Sequence, residues 1–503
     1  MKIIIQAGGK GTRLEGLTAN RPKCLVPVDN LPIIFHIFQK YKDAEFYIIA
    51  DYKSEVLEKY LSVFANEYKW NIVKAKNPGT ISGIRDVLKN FDNDESVIII
   101  WCDLILSKDF ELPNKKGYYI GISKDFECRW SYNDKKLVKV PSSKDGVAGL
   151  FIFENKQCLS EIEESGALVE WLQKQNIVFD ELPLNGTKEI GTIVAYEKNN
   201  DYSYRCRPFN SIDFKNGIVT KRGITEQGKK IAIDEINWYK FVKEKGYKNI
   251  PEIYEYEPLK MKQVQGKNIF EYDCLTQIQK GTILKNVIAA LKDLHNLTPP
   301  IKDTKLAKKE AIKNYITKTF DRLNKITSLV PFANDEFIKI NGKQYKNVMF
   351  YKDDYIKIIK SILPEELRLI HGDCTFSNIM FDTFNLKTVL IDPRGYFGDT
   401  KLYGDVYYDW AKLYYSIVGN YDQFNRKKFI LNINDNSVDF SIMSNNWEDM
   451  EEFFFENIEN CDIRKIKIIH SLIWLSLTTY AWEDYDSICG AFYKGIIEAG
   501  EVL

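Results

Sequence analysis

Within the first 125 residues, four continuous apolar runs, "KIIIQ", "FYIIA", "SVIIIWC" and "YYIGIS", alternate with stretches of helical spacing, "LPIIFHIFQKY", "EVLEKYLSVFANEY" and "ISGIRDVLKNF". Uninterrupted short apolar runs are the mark of strands buried on both faces, and helices between them return the chain to the same edge. The alternation predicts a mostly parallel, doubly wound α/β sheet. At 503 residues the chain exceeds one ordinary core, so more than one domain is expected. The polar stretch "EKNNDYSYRCR" is the best break. It divides a domain over 1–200 from a linker at 201–207 and a second domain over 208–503, with a smaller lobe over about 208–265 and a helical lobe over about 266–503.

Composition excludes several classes. Lys+Arg and Asp+Glu are 70 each, so no net field attracts nucleic acid or anionic lipid. No apolar run is long enough to span a membrane, and "KIIIQ" is too short for a signal sequence, so neither nucleic-acid binding nor membrane insertion is expected. The nine cysteines lack a C-x-x-C pair, which suits reduced thiols in the cytoplasm. With four histidines, a His-rich metal centre is not expected. Oligomeric state is not legible.

The first strand runs into "QAGGKGTRL", and "RPKCLVPV" follows. Gly8, Gly9 and Gly11 permit positive φ and close backbone approach, so amide N–H groups can turn toward phosphate. Arg13 offers a fork for phosphate oxygens, and Lys23, after Pro22, a mobile point charge. Glycines alone would fit an ordinary strand-to-helix turn; Arg13, Arg21 and Lys23 shift the balance toward a nucleotide cradle. The pattern resembles the signature of nucleotidyltransferases that make NDP-sugars and CDP-alcohols. That resemblance implies a Rossmann-like, glycosyltransferase-A-type sheet and attack by a substrate phosphate on the α-phosphorus of an NTP. It also implies that Gly8, Gly9, Gly11 and Arg13 hold the triphosphate and that Lys23 neutralises the reacting phosphates. In "WCDLIL", Asp103 stands where the family binds Mg²⁺; in "KEIGTIVAY", Glu189 stands where an aspartate is usual. Glu189 still offers a hard oxygen on a longer arm. The ordinary alternatives are a helix cap for Asp103 and a surface acid for Glu189. "NPGTISGI" resembles the segment that seats base and ribose, which implicates Gly79, Thr80 and Gly83.

Far downstream, "HGDCTFSN" sets Asp373 five residues before Asn378, and "VLID" delivers Asp392 fourteen residues beyond Asn378. Phosphoryl transfer needs such parts: a carboxylate for the hydroxyl proton, an amide oxygen and a carboxylate for Mg²⁺, and a lysine on the phosphates. The stretch resembles the aminoglycoside phosphotransferase and choline kinase families. The resemblance implies an α+β protein-kinase-like fold, with Asp373 as catalytic base and Asn378 and Asp392 as metal ligands. Lys221 in "GIVTKR" would be the strand lysine over ATP and Glu235 in "IDEINWY" its helix partner. His371 braces the loop, and Asp405 and Asp409 are structural on this reading. Only Gly217 represents the expected glycine-rich loop.

Together these features predict a bifunctional cytoplasmic enzyme. It phosphorylates a small hydroxyl compound with ATP and couples the phosphate to a second NTP, CTP favoured, using Mg²⁺, for capsule or lipopolysaccharide modification. A sugar kinase joined to a sugar-phosphate nucleotidyltransferase is the second reading, and a non-catalytic half the third. Trp474, Trp482, Glu483 and Asp484 could cage a quaternary ammonium group, or the tryptophans could simply pack.

Overall fold

The computed structural model describes residues 1–175, 177–200 and 210–502. The chain divides into two compact units, Met1–Asp201 with Trp482–Asp486, and Tyr202–Ala481 with Ser487–Leu503. The linker expected at 201–207 lies outside the described residues.

The first unit is built on a nine-stranded sheet. Strand β1 (Lys2–Gln6) is followed by α1 (Ile33–Lys40), β2 (Glu45–Ala50), α2 (Ser54–Phe64), β3 (Lys69–Lys74), α3 (Ile84–Leu88) and β4 (Val97–Trp101). The four strands lie parallel in the spatial order β3-β2-β1-β4, with Ile4 opposite both Tyr47 and Ile99. Ile3, Ile4 and Ile5 are fully buried, as an uninterrupted apolar strand covered on both faces must be. Beyond β4 the sheet becomes mixed. Strand β6 (Gly146–Phe153) pairs with β4 and with β5 (Tyr119–Ser123), and β7 (Asp180–Pro183) joins the edge of β5. The parallel alternation read from sequence therefore holds for β1 to β4; beyond them β6 runs antiparallel to both β4 and β5, while β7 lies parallel to β5. The switch point of the parallel strands falls between β1 and β4. Loops leaving the carboxyl ends of two such strands diverge and open a crevice there.

The second unit begins with an antiparallel four-stranded sheet in the order β8-β9-β11-β10, from β8 (Asn210–Lys215), β9 (Ile218–Gly223), β10 (Ile253–Tyr256) and β11 (Leu259–Lys262). Asn216 and Gly217 both take positive φ in a two-residue hairpin, the turn that matches strand twist. Helix α4 (Glu226–Glu244) crosses from β9 to β10, and its first turn is capped by Thr225, whose hydroxyl accepts from Gly228 N at 3.1 Å. Helix α5 (Gln277–His295) opens on a reciprocal Thr276–Gln279 capping box. Then come α6 (Lys318–Ile326), the hairpin β12 (Ile379–Asp382)–β13 (Lys387–Leu390), α7 (Val406–Ile417) and α8 (Ile463–Leu477). Trp238 on α4 is fully buried and donates through its indole N–H to the Ile370 carbonyl at 2.8 Å, fixing α4 to the chain that leads into His371. Among the described residues, no helix is long and apolar enough to cross a membrane.

Candidate functional sites

In the first unit, β1 ends at Gln6 and the glycine turn follows. Gly11 has φ +65°, and a Cβ there would lie 3.0 Å from the Thr18 methyl and 3.2 Å from Lys23 Cβ. The left-handed turn and the missing side chain are what let the chain fold back over Lys23. Lys23, buried, donates to Asp103 Oδ2 at 2.5 Å. Asp103 sits just past the end of β4, at the neighbouring strand terminus. A short antiparallel pairing sets Glu189 opposite Leu104, and Ile190 N donates to the Asp103 carbonyl at 2.9 Å, so Glu189 and Asp103 share one pocket of charge. Burial opposes the charge on Lys23, but Asp103 and then Glu189 outweigh it and raise its pKa. Burial raises the Glu189 pKa, and the charge of Asp103 raises it further, while Lys23 and Arg13 pull it down. Asp103 Oδ1 is buried with no hydrogen-bond partner.

An orphaned carboxylate oxygen beside a second carboxylate is the donor set a hard divalent cation takes, with phosphate and water completing its shell. Among the described residues there is no cluster of three His, Cys, Asp or Glu that would bind a metal without substrate. Arg13 is exposed at the rim. Gly79 has φ +101°, and a Cβ there would collide with the Gly166 backbone. Thr80 is latched on two sides: its hydroxyl accepts from Leu168 N at 2.8 Å and its carbonyl accepts from the Gln6 side chain. Gln6 thus ties the Gly79–Gly83 loop to the end of β1, from which the turn with Gly8 and Gly9 leaves. Gln6 itself was not singled out from sequence; a polar residue closing an otherwise apolar strand was the available signal.

In the second unit, β9 presents Lys221 and α4 presents Glu235. Lys221 Nζ pairs with Glu235 Oε2 at 2.7 Å and Asp392 Oδ1 at 2.8 Å. Burial disfavours the ammonium, but Asp392 and then Glu235 overcome it and hold the Lys221 pKa above the ordinary lysine value. Burial pushes Glu235 up to about 7 against the pull of Lys221. Asp392, just past β13, has φ +54°, a strained conformation for a non-glycine residue that aims its carboxylate at Lys221. Asn378 donates through Nδ2 to both the carbonyl and Oδ2 of Asp373 at 2.9 Å, which turns its amide oxygen the opposite way. Asn378 Oδ1 and the Asp392 carboxylate are hard oxygens of the kind Mg²⁺ takes.

Asp409 supports the loop from below. Fully buried, it accepts from His371 N at 2.9 Å, Gly372 N at 2.7 Å and His295 Nε2 at 3.0 Å. Burial would raise its pKa, but the His295 hydrogen bond and charge outweigh burial and lower it. His371 accordingly braces: its Nε2 contacts the Ile391 carbonyl at 2.9 Å, and burial lowers its pKa. Asp405 caps α7 and pairs with Lys465 at 3.1 Å. Trp474 is a packing residue, fully buried with its indole N–H on His470 at 3.0 Å. Trp482, Glu483 and Asp484 fall in the segment grouped with the first unit. Sequence reading missed Lys412, which pairs with Asp373 at 2.8 Å; it lies three residues after Asp409 in "YGDVYYDWAKL", a helical spacing that was the signal.

Residues 3–110 match the MobA-like NTP transferase domain. The bifunctional protein GlmU of Methanocaldococcus jannaschii is 35% identical over 127 residues, 24% of this chain and 29% of that protein. The UTP–glucose-1-phosphate uridylyltransferase AglF of Haloferax volcanii is 35% identical over 72 residues, 14% of this chain and 28% of that protein. The chain thus spans less than a third of the length of these curated relatives. Among solved structures, the CTP:phosphocholine cytidylyltransferase of Streptococcus pneumoniae is 20% identical, with 39% of this chain and 96% of that one covered and a TM-score of 0.33. The N-terminal part of the chain carries an NTP transferase domain.

Proposed function

We propose that the chain is a two-site transferase: the second unit phosphorylates a small hydroxyl compound with ATP, and the first couples that phosphate to a nucleotide. The observation that carries the proposal is the recurrence, once in each unit, of a lysine held on carboxylates, buried in the first and half-buried in the second: Lys23 on Asp103 beside Glu189, and Lys221 on Glu235 and Asp392. Lysine and acids gathered without full mutual neutralisation suit polyphosphate chemistry, in which positioning and charge stabilisation do most of the work.

In the second unit, Asp373 accepts the acceptor's hydroxyl proton. The hydroxyl oxygen bonds to the γ-phosphorus of ATP, the bond from that phosphorus to the bridging oxygen breaks, and ADP leaves. Lys412 and Asn378 fix the Asp373 carboxylate, and Lys221 neutralises phosphate oxygens. In the first unit, an oxygen of the new phosphate bonds to the α-phosphorus of the second NTP, the α–β bridging bond breaks, and pyrophosphate leaves. Gly8, Gly9 and Gly11 allow backbone approach to the triphosphate, Arg13 grips it at the rim, and Lys23 offsets charge on the reacting phosphates. Gly79, Thr80 and Gly83 frame the nucleoside. Asp103 with Glu189, and Asn378 with Asp392, would hold Mg²⁺, which when bound spreads the charge of the phosphate oxygens.

CTP is the favoured second nucleotide, giving a CDP-linked alcohol, amino-alcohol or polyol for surface-polysaccharide modification. The likeness of "NPGTISGI" to sugar-type members, and relatives named for glucose-1-phosphate, favour the second reading, an NDP-sugar. A screen of hydroxyl compounds with ATP and each NTP, read by mass spectrometry, tests the proposal. A compound that gains phosphate and then a nucleotide is expected; a kinase product never coupled to any NTP overturns the pairing.

A further inference from the structure

Around Lys412, which fixes Asp373, the second unit gathers three further cations to which the chemistry above gives no task. The segment before α6, Ile312–Thr317, is a π-helix, a wider turn that accumulates at functional positions. Lys318 and Arg322 follow, one helical turn apart and on one face. Arg394, two residues past Asp392, and Lys412 join them. Tyr408 gathers three of them, with Lys318 and Arg394 at 5.7 Å and Lys412 at 6.0 Å from its centroid, while Arg322 lies 5.8 Å from the Tyr480 ring. Lys318 Nζ donates to Asn314 Oδ1 at 2.7 Å, Arg394 Nη2 reaches the same oxygen at 3.4 Å, and Arg394 Nη1 donates to the Tyr408 hydroxyl at 3.0 Å.

These charges are balanced only in part: burial opposes them, Tyr408, Tyr396 and then Asp373 hold the Arg394 pKa up, and Asp373 does the same for Lys412. Among the described residues, Lys318, Arg322 and Arg394 have no carboxylate within ion-pair distance, and Lys412 is shared with Asp373. Burial, then the charges of Arg394, Arg322 and Lys412, push the Lys318 pKa well below the ordinary lysine range. Asn314 adds an independent sign. It is 3% exposed; two cations occupy its oxygen, and its Nδ2 has no hydrogen-bond partner. A buried amide donor left unmet costs free energy, as does a cluster of like charges, and a bound anion relieves both at once. The four cations are half-buried rather than sealed, so a ligand can reach them.

We propose that this cluster binds an anionic group, carboxylate or phosphate, on the same compound whose hydroxyl is phosphorylated at Asp373. The inference rests on the phosphotransfer reading and narrows it. Lys221, with Asp392 and Asn378, provides for the nucleotide's phosphates; the Lys318–Arg322–Arg394–Lys412 group is a second set of cations, joined to Asp373 through Lys412. The acceptor is then a hydroxy acid or a phosphate-bearing alcohol, and a quaternary ammonium alcohol is excluded.

Peptide-resolved reductive methylation of Lys318 tests this in the full chain saturated with Mg²⁺ and a non-hydrolysable ATP analogue. Inorganic phosphate or malonate, at about ten times its dissociation constant, is expected to slow Lys318 labelling about tenfold by mass action, and choline to leave it unchanged. A lower dissociation constant for phosphate than for malonate, read from the concentration dependence of the protection, assigns a phosphate group, and the reverse a carboxylate. Arg394→Gln should abolish the protection and Arg394→Lys retain part of it; Arg322→Gln serves if Arg394→Gln folds poorly. Protection by neither anion, equal protection by choline, or full protection in these Gln variants overturns the proposal. ADP formation with no hydroxyl compound, alongside intact anion protection, breaks the phosphotransfer reading and leaves the anion site standing.

Discussion

Lys23 in the first unit and Lys221 in the second each face two carboxylates, yet the parts come from different architectures. In the first, Lys23 and Asp103 follow the ends of neighbouring parallel strands, and Glu189 is brought in by a short pairing beside them. In the second, Lys221 comes from an antiparallel strand, Glu235 from a long helix, and Asp392 from a strained position after a hairpin. The first site leaves a carboxylate oxygen without a hydrogen-bond partner, Asp103 Oδ1, and the second leaves the Asn314 amide donor so, beside Lys318, whose pKa burial and neighbouring cations lower. On the proposed reading, the first site would take a divalent cation with a triphosphate, and the second an anion besides ATP.

Removing metal is the harshest way to test the likeness of the two sites. EDTA should stop both pyrophosphate release and ADP formation, with Mg²⁺ restoring both; persistence of either would separate the sites in kind. Next in size, Asp103→Ala should lower pyrophosphate release by about 10³-fold and spare ADP formation, while Asp392→Asn should do the converse, each loss matching several kcal/mol of charge stabilisation. A variant that injures both activities while folded would contradict independent sites.

The first site was the more legible because its chemistry is written in contiguous stretches: the glycine turn with Arg13, the "RPK" lysine, and Asp103 after an apolar run. The second was legible only along "HGDCTFSN" and "VLID". Lys318, Arg322 and Asn314 lie in a stretch of helical pattern with no motif, and nothing in their local spacing tells that Arg394 and Lys412 come to the Tyr408 ring beside Lys318. Tertiary packing alone makes that group. For the same reason Trp474 could be weighed as a ligand group from sequence but proves to be core, since helix-spaced aromatics do not announce which face is covered.

Smaller effects sharpen the contrast between residues that support a site and residues that strain it. Asp409→Asn should cost about 3 kcal/mol of stability, because it strips the partner of His295 and weakens acceptance from two loop amides. Its folded pKa lies below the ordinary 3.8, so its contribution is present above that value and is lost as pH falls through the lower folded value. Acid unfolding curves of the variant should accordingly flatten on the acid side. Lys318→Met should do the opposite and raise the thermal midpoint at neutral pH by about 2 °C. A lysine with a lowered folded pKa binds fewer protons than in the unfolded chain between that pKa and 10.5, so it opposes folding at lower pH and the penalty fades as pH rises.

The most direct measurement follows both half-reactions in one variant. Asp373→Asn, assayed with ATP and the acceptor, should lose ADP formation by about 10²–10⁴-fold, the usual worth of a positioned base. Supplied instead with the phosphorylated acceptor and the second NTP, the same protein should release pyrophosphate at the unaltered rate. Equal loss of both activities in a folded Asp373→Asn chain would contradict two separable sites.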